Sequence, residues 1–120
     1  MTTHPAGRVL RRTVNPPWTY DELVLALDLY LRRGIVPQID PELLEVSSIL
    51  NRLRGRGKVN DEVRFRNPNG VHMKLANFRS QDQPGKGLQH GNHLEPIVWD
   101  RFKNQKESLA REVARIKTGL

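Results

Sequence analysis

Residues 64–79 read RFRNPNGVHMKLANFR, and a helix start, an apolar stripe and a cluster of cations coincide there. Asn67 suits an N-cap, and Pro68 suits the first helical position, where its missing N–H has no intrahelical partner to lose. From that cap Val71, Leu75 and Phe78 recur at helical spacing and are expected to face a core, which leaves Asn69, His72, Met73 and Asn77 around the other side. Arg64, Arg66, Lys74 and Arg79 bracket this polar face with no carboxylate among them, an arrangement suited to phosphates on either side of a groove. The stretch predicts a helix that reads nucleic acid. The competing reading is an amphipathic surface helix with a solvated basic side.

Upstream, Thr19 and Glu22 form a capping-box pair, with Trp18 placed to act as a hydrophobic staple on Leu23. A first helix is expected over residues 20–33. Leu23, Leu27, Tyr30 and Leu31 share a face that Val24 and Leu29 widen, and Gly34 is a C-terminal stop after Arg32 and Arg33. A helix so widely apolar is packed between others, and Trp18 is read as a core anchor. Asp40 followed by Pro41 repeats the cap-then-proline signal. Leu43, Val46, Leu50 and Leu53 then mark a second helix that ends at Gly55. Residues 52–66 carry six Lys or Arg against Asp61 and Glu62, together with two glycines, and read as a basic connection able to touch a nucleic-acid backbone.

Downstream, residues 82–93 hold four Pro or Gly and no periodicity, which indicates a loop. Asn92 and Glu95 offer another cap pair. Val98 and Phe102, then Leu109, Val113 and Ile116, carry one apolar stripe from near His93 to the end of the chain, and Trp99 beside it is read as core. Residues 1–16 carry Arg8, Arg11 and Arg12 without a periodic pattern and are expected to be a flexible basic arm. Residues 17–118 are expected to form one helical domain. Its architecture is mainly α, a helix-turn-helix or Myb-like trihelical core followed by a C-terminal helix.

A chain of 120 residues is one domain's worth, enough to bury roughly 60 to 65% of its unfolded surface. Twenty Lys and Arg against thirteen Asp and Glu give a net charge of +7, which makes nucleic acid the first partner to consider. The absence of cysteine excludes disulfides, thiolate zinc sites and a cysteine nucleophile. No run of apolar residues has the length of a membrane span, and the N-terminus lacks the pattern of a signal peptide. The reading is a soluble, cytoplasmic chain. His90 and His93 have a spacing that suits one metal ion, but no third ligand is evident, and neither a phosphate-binding loop nor a Ser-His-Asp set occurs. No cofactor, metal or catalytic site is expected.

At WTYDELVLALDLYLRRG, SSILNRLRG, FRNPNGVHMKLANFRSQD and VWDRF, the chain resembles the N-terminal head region found ahead of the HNH nuclease domain in McrA-like, modification-dependent restriction endonucleases. The resemblance spans residues 18–102. It implies a head that binds DNA, modified or unmodified, for a nuclease domain elsewhere in a parent chain. It does not imply that the head itself cuts, since this chain carries neither the cysteine pairs nor the His-rich continuation of the nuclease part.

The expected contacts with double-stranded DNA come from helical geometry and charge. Arg64, Arg66, Lys74 and Arg79 hold phosphates, Asn69, His72 and Asn77 approach base edges, and Arg54, Arg56 and Lys58 add backbone contacts. The alternative is a protein-interaction or homodimerisation module built on the final helix or the Leu-rich first helix.

Overall fold

The computed structural model describes residues 15–53, 62–88 and 91–120. Five helices occupy most of them: α1 (Tyr20–Arg33), α2 (Pro41–Leu53), α3 (Pro68–Asp82), α4 (Leu94–Phe102) and α5 (Lys106–Thr118). Among the described residues there is no strand. The protein is mainly α-helical, as its sequence indicates. No helix among the described residues is long and apolar enough to cross a membrane.

Each of the first three helices starts where the sequence places a cap. The Thr19 hydroxyl accepts from the Glu22 N–H (3.3 Å), and the Glu22 carboxylate accepts from the Thr19 N–H (2.8 Å), which closes the capping box. Asp40 Oδ1 accepts from the Glu42 and Leu43 amides at the head of α2, and Asn67 Oδ1 accepts from the Gly70 amide (2.8 Å) with Pro68 opening α3. Gly34 ends α1 at φ +76°, a conformation that favours glycine.

α1 is the hub. Glu22 through Leu27, then Leu29 and Tyr30, are all buried, so the helix is covered on nearly every side and touches each of the other four. α2 and α3 pack on α1 and on each other; α4 joins α1 and α3, and α5 lies along α1 and α4. The core between them contains Leu43, Leu50, Val71, Leu75, Phe78, Val98 and Phe102, all essentially inaccessible. Tyr30 sits edge-on to Trp99, with ring centroids 6.2 Å apart, and lies 6.5 Å from Phe78, joining α1, α3 and α4 through aromatic contacts.

The C-terminal stripe is divided. A single helix from near His93 to the end is expected from the spacing, whereas α4 stops at Phe102, a turn spans residues 103–105, and α5 begins at Lys106. A straight helix over residues 94–118 would be about 37 Å long and could not lay both of its ends against α1. The spacing hides the break because Phe102 and Leu109 are two helical turns apart, so the stripe keeps its phase across the turn. Leu109, Val113 and Ile116 are buried in the same core as the α1 stripe. Both helices proposed for dimerisation have therefore spent their apolar faces inside the molecule.

Replacing Phe78 by Ala should lower the free energy of unfolding by about 3 to 5 kcal/mol, the range for emptying a buried aromatic site. Asn67→Ala should cost about 1 kcal/mol through the lost cap. Urea denaturation followed by circular dichroism measures both, and equal losses for the two variants would contradict this division between core and cap.

Candidate nucleic-acid interface

The entrance to α3 is fixed by a charge that the sequence alone does not connect to it. Beyond its cap bond, the Glu22 carboxylate accepts two hydrogen bonds from Arg66, from Nε to Oε2 (3.0 Å) and from Nη2 to Oε1 (2.8 Å). Both side chains are about 95% buried. Arg66 Nη2 also donates to the Pro17 carbonyl (3.2 Å), and the guanidinium lies over the Trp18 and Phe65 rings. The Arg66 backbone has φ +45°, in the left-handed region that costs a non-glycine residue roughly 1 to 2 kcal/mol. The surroundings hold it there: Ser47 Oγ donates to the Arg66 carbonyl (2.7 Å), and Asn51 Nδ2 donates to the Phe65 carbonyl (3.1 Å).

A second ion pair lies on the other side of Trp18. Lys74 Nζ bonds to Glu95 Oε2 with both side chains buried, and the ammonium sits 5.2 Å from the centre of the Trp18 ring. Glu95 therefore turns inward and does not complete the expected cap pair; Asn92 makes the start of α4 alone, its Oδ1 accepting from the Leu94 amide (2.7 Å). Asn92 Nδ2 donates to the Trp18 carbonyl (2.8 Å). A Cβ at Gly91 would come within 1.8 Å of Glu95 Oε1, so only glycine lets this loop close over the pair. Trp18 is half-buried at the edge of the core, and it lines a shallow cleft with Pro17, Lys74, Gly91, Asn92 and His93.

The outer face of α3 thus differs from the expectation. Arg66 and Lys74 are buried in ion pairs and do not reach outward to a phosphate. Asn77 is also buried, and its Nδ2 donates to the Leu88 carbonyl (3.0 Å), so its amide is spent on a loop and not turned to a base edge. That loop lies against the last turns of α3. The Leu88 amide donates to the Ala76 carbonyl, and a Cβ at Gly87 (φ +72°) would lie 2.3 Å from the same oxygen.

Arg79 is half-buried, its Nε donating to the Tyr30 hydroxyl (2.8 Å), which in turn donates to Asp82 Oδ2 (2.8 Å). Burial first, and then the hydrogen bond to Asp82, pushes the Tyr30 phenol above its ordinary value. His72 is half-buried with Nδ1 2.9 Å from the Val36 carbonyl, a contact that requires the proton on Nδ1 and leaves Nε2 as an acceptor.

What remains outward on α3 is its first two turns, where Asn69 and Met73 are exposed, with Arg64 exposed just ahead of the helix. Gln38, from the turn between α1 and α2, stands beside them, its Nε2 donating to Asn69 Oδ1 (3.0 Å). Arg54, Arg56 and Lys58 lie outside the described residues, as do the arm over residues 1–14 and His90. Among the described residues no group of three or more His, Asp or Glu is placed to hold a metal ion.

The net charge is unevenly distributed. Arg8, Arg11, Arg12, Arg54, Arg56 and Lys58 against Asp61 give residues 1–14 and 54–61 a charge of +5 out of +7, and the described residues hold the other +2. These two stretches join the described fold at neighbouring points, because the bond from Arg66 to Pro17 ties the end of one to the end of the other.

Arg66→Met should destabilise the fold by about 3 to 5 kcal/mol by stranding the buried Glu22 charge. Adding Glu22→Gln, which keeps an oxygen for the Thr19 amide but removes the charge, should recover part of that loss; a double variant less stable than Arg66→Met alone would contradict the pairing. Tyr30 makes a pH-dependent contribution. Because its folded value lies above the unfolded value of 10.0, the contribution is intact below pH 10 and is lost as pH rises through the folded value. The tyrosinate absorbance that disappears in Tyr30→Phe should accordingly have a midpoint above 10. No protein-family model, curated protein or solved structure matches this chain, so the function of the site is read from its own residues.

Proposed function

We propose that the protein is a DNA-binding domain without a catalytic site of its own, of the kind that serves as the head of a modification-dependent restriction nuclease. The observation that carries this reading is the convergence of charge. Two short stretches holding +5 of the net charge attach side by side, at the Arg66–Pro17 bond, next to the exposed first turns of α3. A duplex presents closely spaced phosphates on both sides of a groove, and cations grouped at the two flanks of a short helical face match that spacing of charge.

In this reading Arg8, Arg11, Arg12, Arg54, Arg56 and Lys58, together with Arg64, meet the phosphates. Arg66 and Lys74 act from inside by orienting α3, and the nuclease chemistry of such systems belongs to a domain elsewhere in a parent chain. The resemblance over residues 18–102 supports the same assignment. The protein-interaction alternative draws on the exposed apolar side chains Ile39, Leu44 and Ile97, since the stripes of α1 and α5 are buried.

Neutralising about six phosphates gives a salt slope, log of the binding constant against log salt, of about −5 on duplex DNA. A fluorescence-anisotropy titration at several salt concentrations measures it. The triple variant Arg54→Ala, Arg56→Ala, Lys58→Ala should reduce the slope by about three. A wild-type constant indifferent to salt, or no binding together with concentration-dependent self-association in sedimentation, would remove the DNA reading.

A further inference from the structure

We infer that the reading edge consists of Gln38, Asn69 and Met73, and that it recognises an A·T base pair in the major groove. This inference rests on the DNA-binding reading above and specifies the chemistry of its contact.

Two observations define the edge. The Gly87–Leu88 loop lies on the last turns of α3, bonded to the Ala76 carbonyl and held by Asn77, so the first two turns are what this helix can offer a groove. On those turns Asn69 and Met73 follow one another at i and i+4 and are both exposed, Met73 at 46%. Gln38 reaches them from the α1–α2 turn: its Nε2 donates to Asn69 Oδ1 (3.0 Å), and Asn69 Nδ2 lies 3.5 Å from Met73 Sδ. Three side chains from two elements form one hydrogen-bonded row on the surface.

The groups this row leaves unused determine what it fits. With Gln38 Nε2 committed to Asn69 Oδ1, Gln38 Oε1 remains an acceptor and Asn69 Nδ2 a donor, side by side. Adenine offers the complement in the major groove, the N6 donor beside the N7 acceptor. Guanine offers two acceptors there, and no Lys or Arg stands in the row to meet them. Met73, with Ile39 (82% exposed) next to Gln38, supplies the apolar contact that fits the C5-methyl group of the paired thymine. The amides hold each other in place before binding, so little rotamer freedom remains to be lost. The nearby carboxylates do not oppose the approach: Asp40 and Glu42 are paired with Arg33, and Glu42 also with Arg32.

The test uses the full chain and matched 20-base-pair duplexes, A·T-rich and G·C-rich, with two modified versions of the first. One carries 7-deazaadenine, which lacks N7, and the other carries uracil for thymine, which lacks the methyl group. The A·T-rich duplex should bind roughly 5- to 100-fold more tightly than the G·C-rich one, the discrimination expected of one good bidentate contact. Each modification should remove much of that preference. Asn69→Ala and Gln38→Ala, at exposed positions, should abolish the preference while leaving the salt slope unchanged, with circular dichroism confirming the fold. Equal, salt-dependent binding to all four duplexes would overturn this inference and leave DNA binding standing. A preference that survives 7-deazaadenine would place the contact in the minor groove and also overturn it, and absence of binding to every duplex would remove both readings.

Discussion

The double duty of one carboxylate organises the molecule. Glu22 closes the capping box that starts α1 and, with the same two oxygens, holds the fork of Arg66 at the threshold of α3. Through that side chain the position of α3 is referenced directly to the first turn of the central helix, although 44 residues separate the partners. Arg66 extends the linkage to the Pro17 carbonyl and the Trp18 face, so the chain ahead of α1 is also drawn to this point. The left-handed Arg66 backbone is tolerated because hydrogen bonds from Ser47 and Asn51 clamp the peptide units around it. A buried, doubly hydrogen-bonded ion pair adds little net stability over a well-packed apolar pair, but it imposes a single geometry, since every alternative leaves a charge unmatched.

The same logic explains which cations are left for a ligand. A helix that carries basic residues on its flanks looks from its own sequence like a phosphate clamp. In the folded protein Lys74 and Arg66 straddle Trp18 and are each neutralised by a carboxylate from another helix, while Arg79 bonds to a tyrosine that is itself tied to Asp82. The cations most evident on the helix have become its scaffold. The charge suited to phosphate contact sits instead in the stretches that flank the fold, next to a short, polar and methyl-friendly edge.

How much of this was legible follows the range of each interaction. The three helix starts could be read from four or five consecutive letters, because Thr19 with Glu22, Asp40 with Pro41 and Asn67 with Pro68 act within one turn. The core positions of α1, α2 and α5 followed from stripes of period 3.6, since a stripe records the direction of the core. For α3 the stripe located Val71, Leu75 and Phe78 but understated the width of the buried face. Asn77 and Lys74 are covered by the 83–88 loop and by α4, and neither neighbour is encoded within the helix. Glu22 and Glu95 as partners for Arg66 and Lys74 had no local signal at all, because separations of 44 and 21 residues are set by tertiary packing. The turn that divides α4 from α5 was hidden for the opposite reason: it preserves the phase of the pattern used to look for it.

The ion pair of Lys74 with Glu95 also defines the smallest unit able to fold. α1, α2 and α3 together resemble a self-sufficient trihelical domain, yet the third of them carries an ammonium whose counter-charge is delivered by α4, and α4 in turn brings Trp99 and Phe102 to close the far side of α1. A fragment ending at Asp82 would leave that ammonium to be hydrated in what is otherwise core, and the packing of the helix would have to open to admit water. The natural seam of the polypeptide therefore falls after Phe102, at the turn before α5, and any rearrangement of the gene that kept the binding face intact would have to carry the first four helices as one inheritable block.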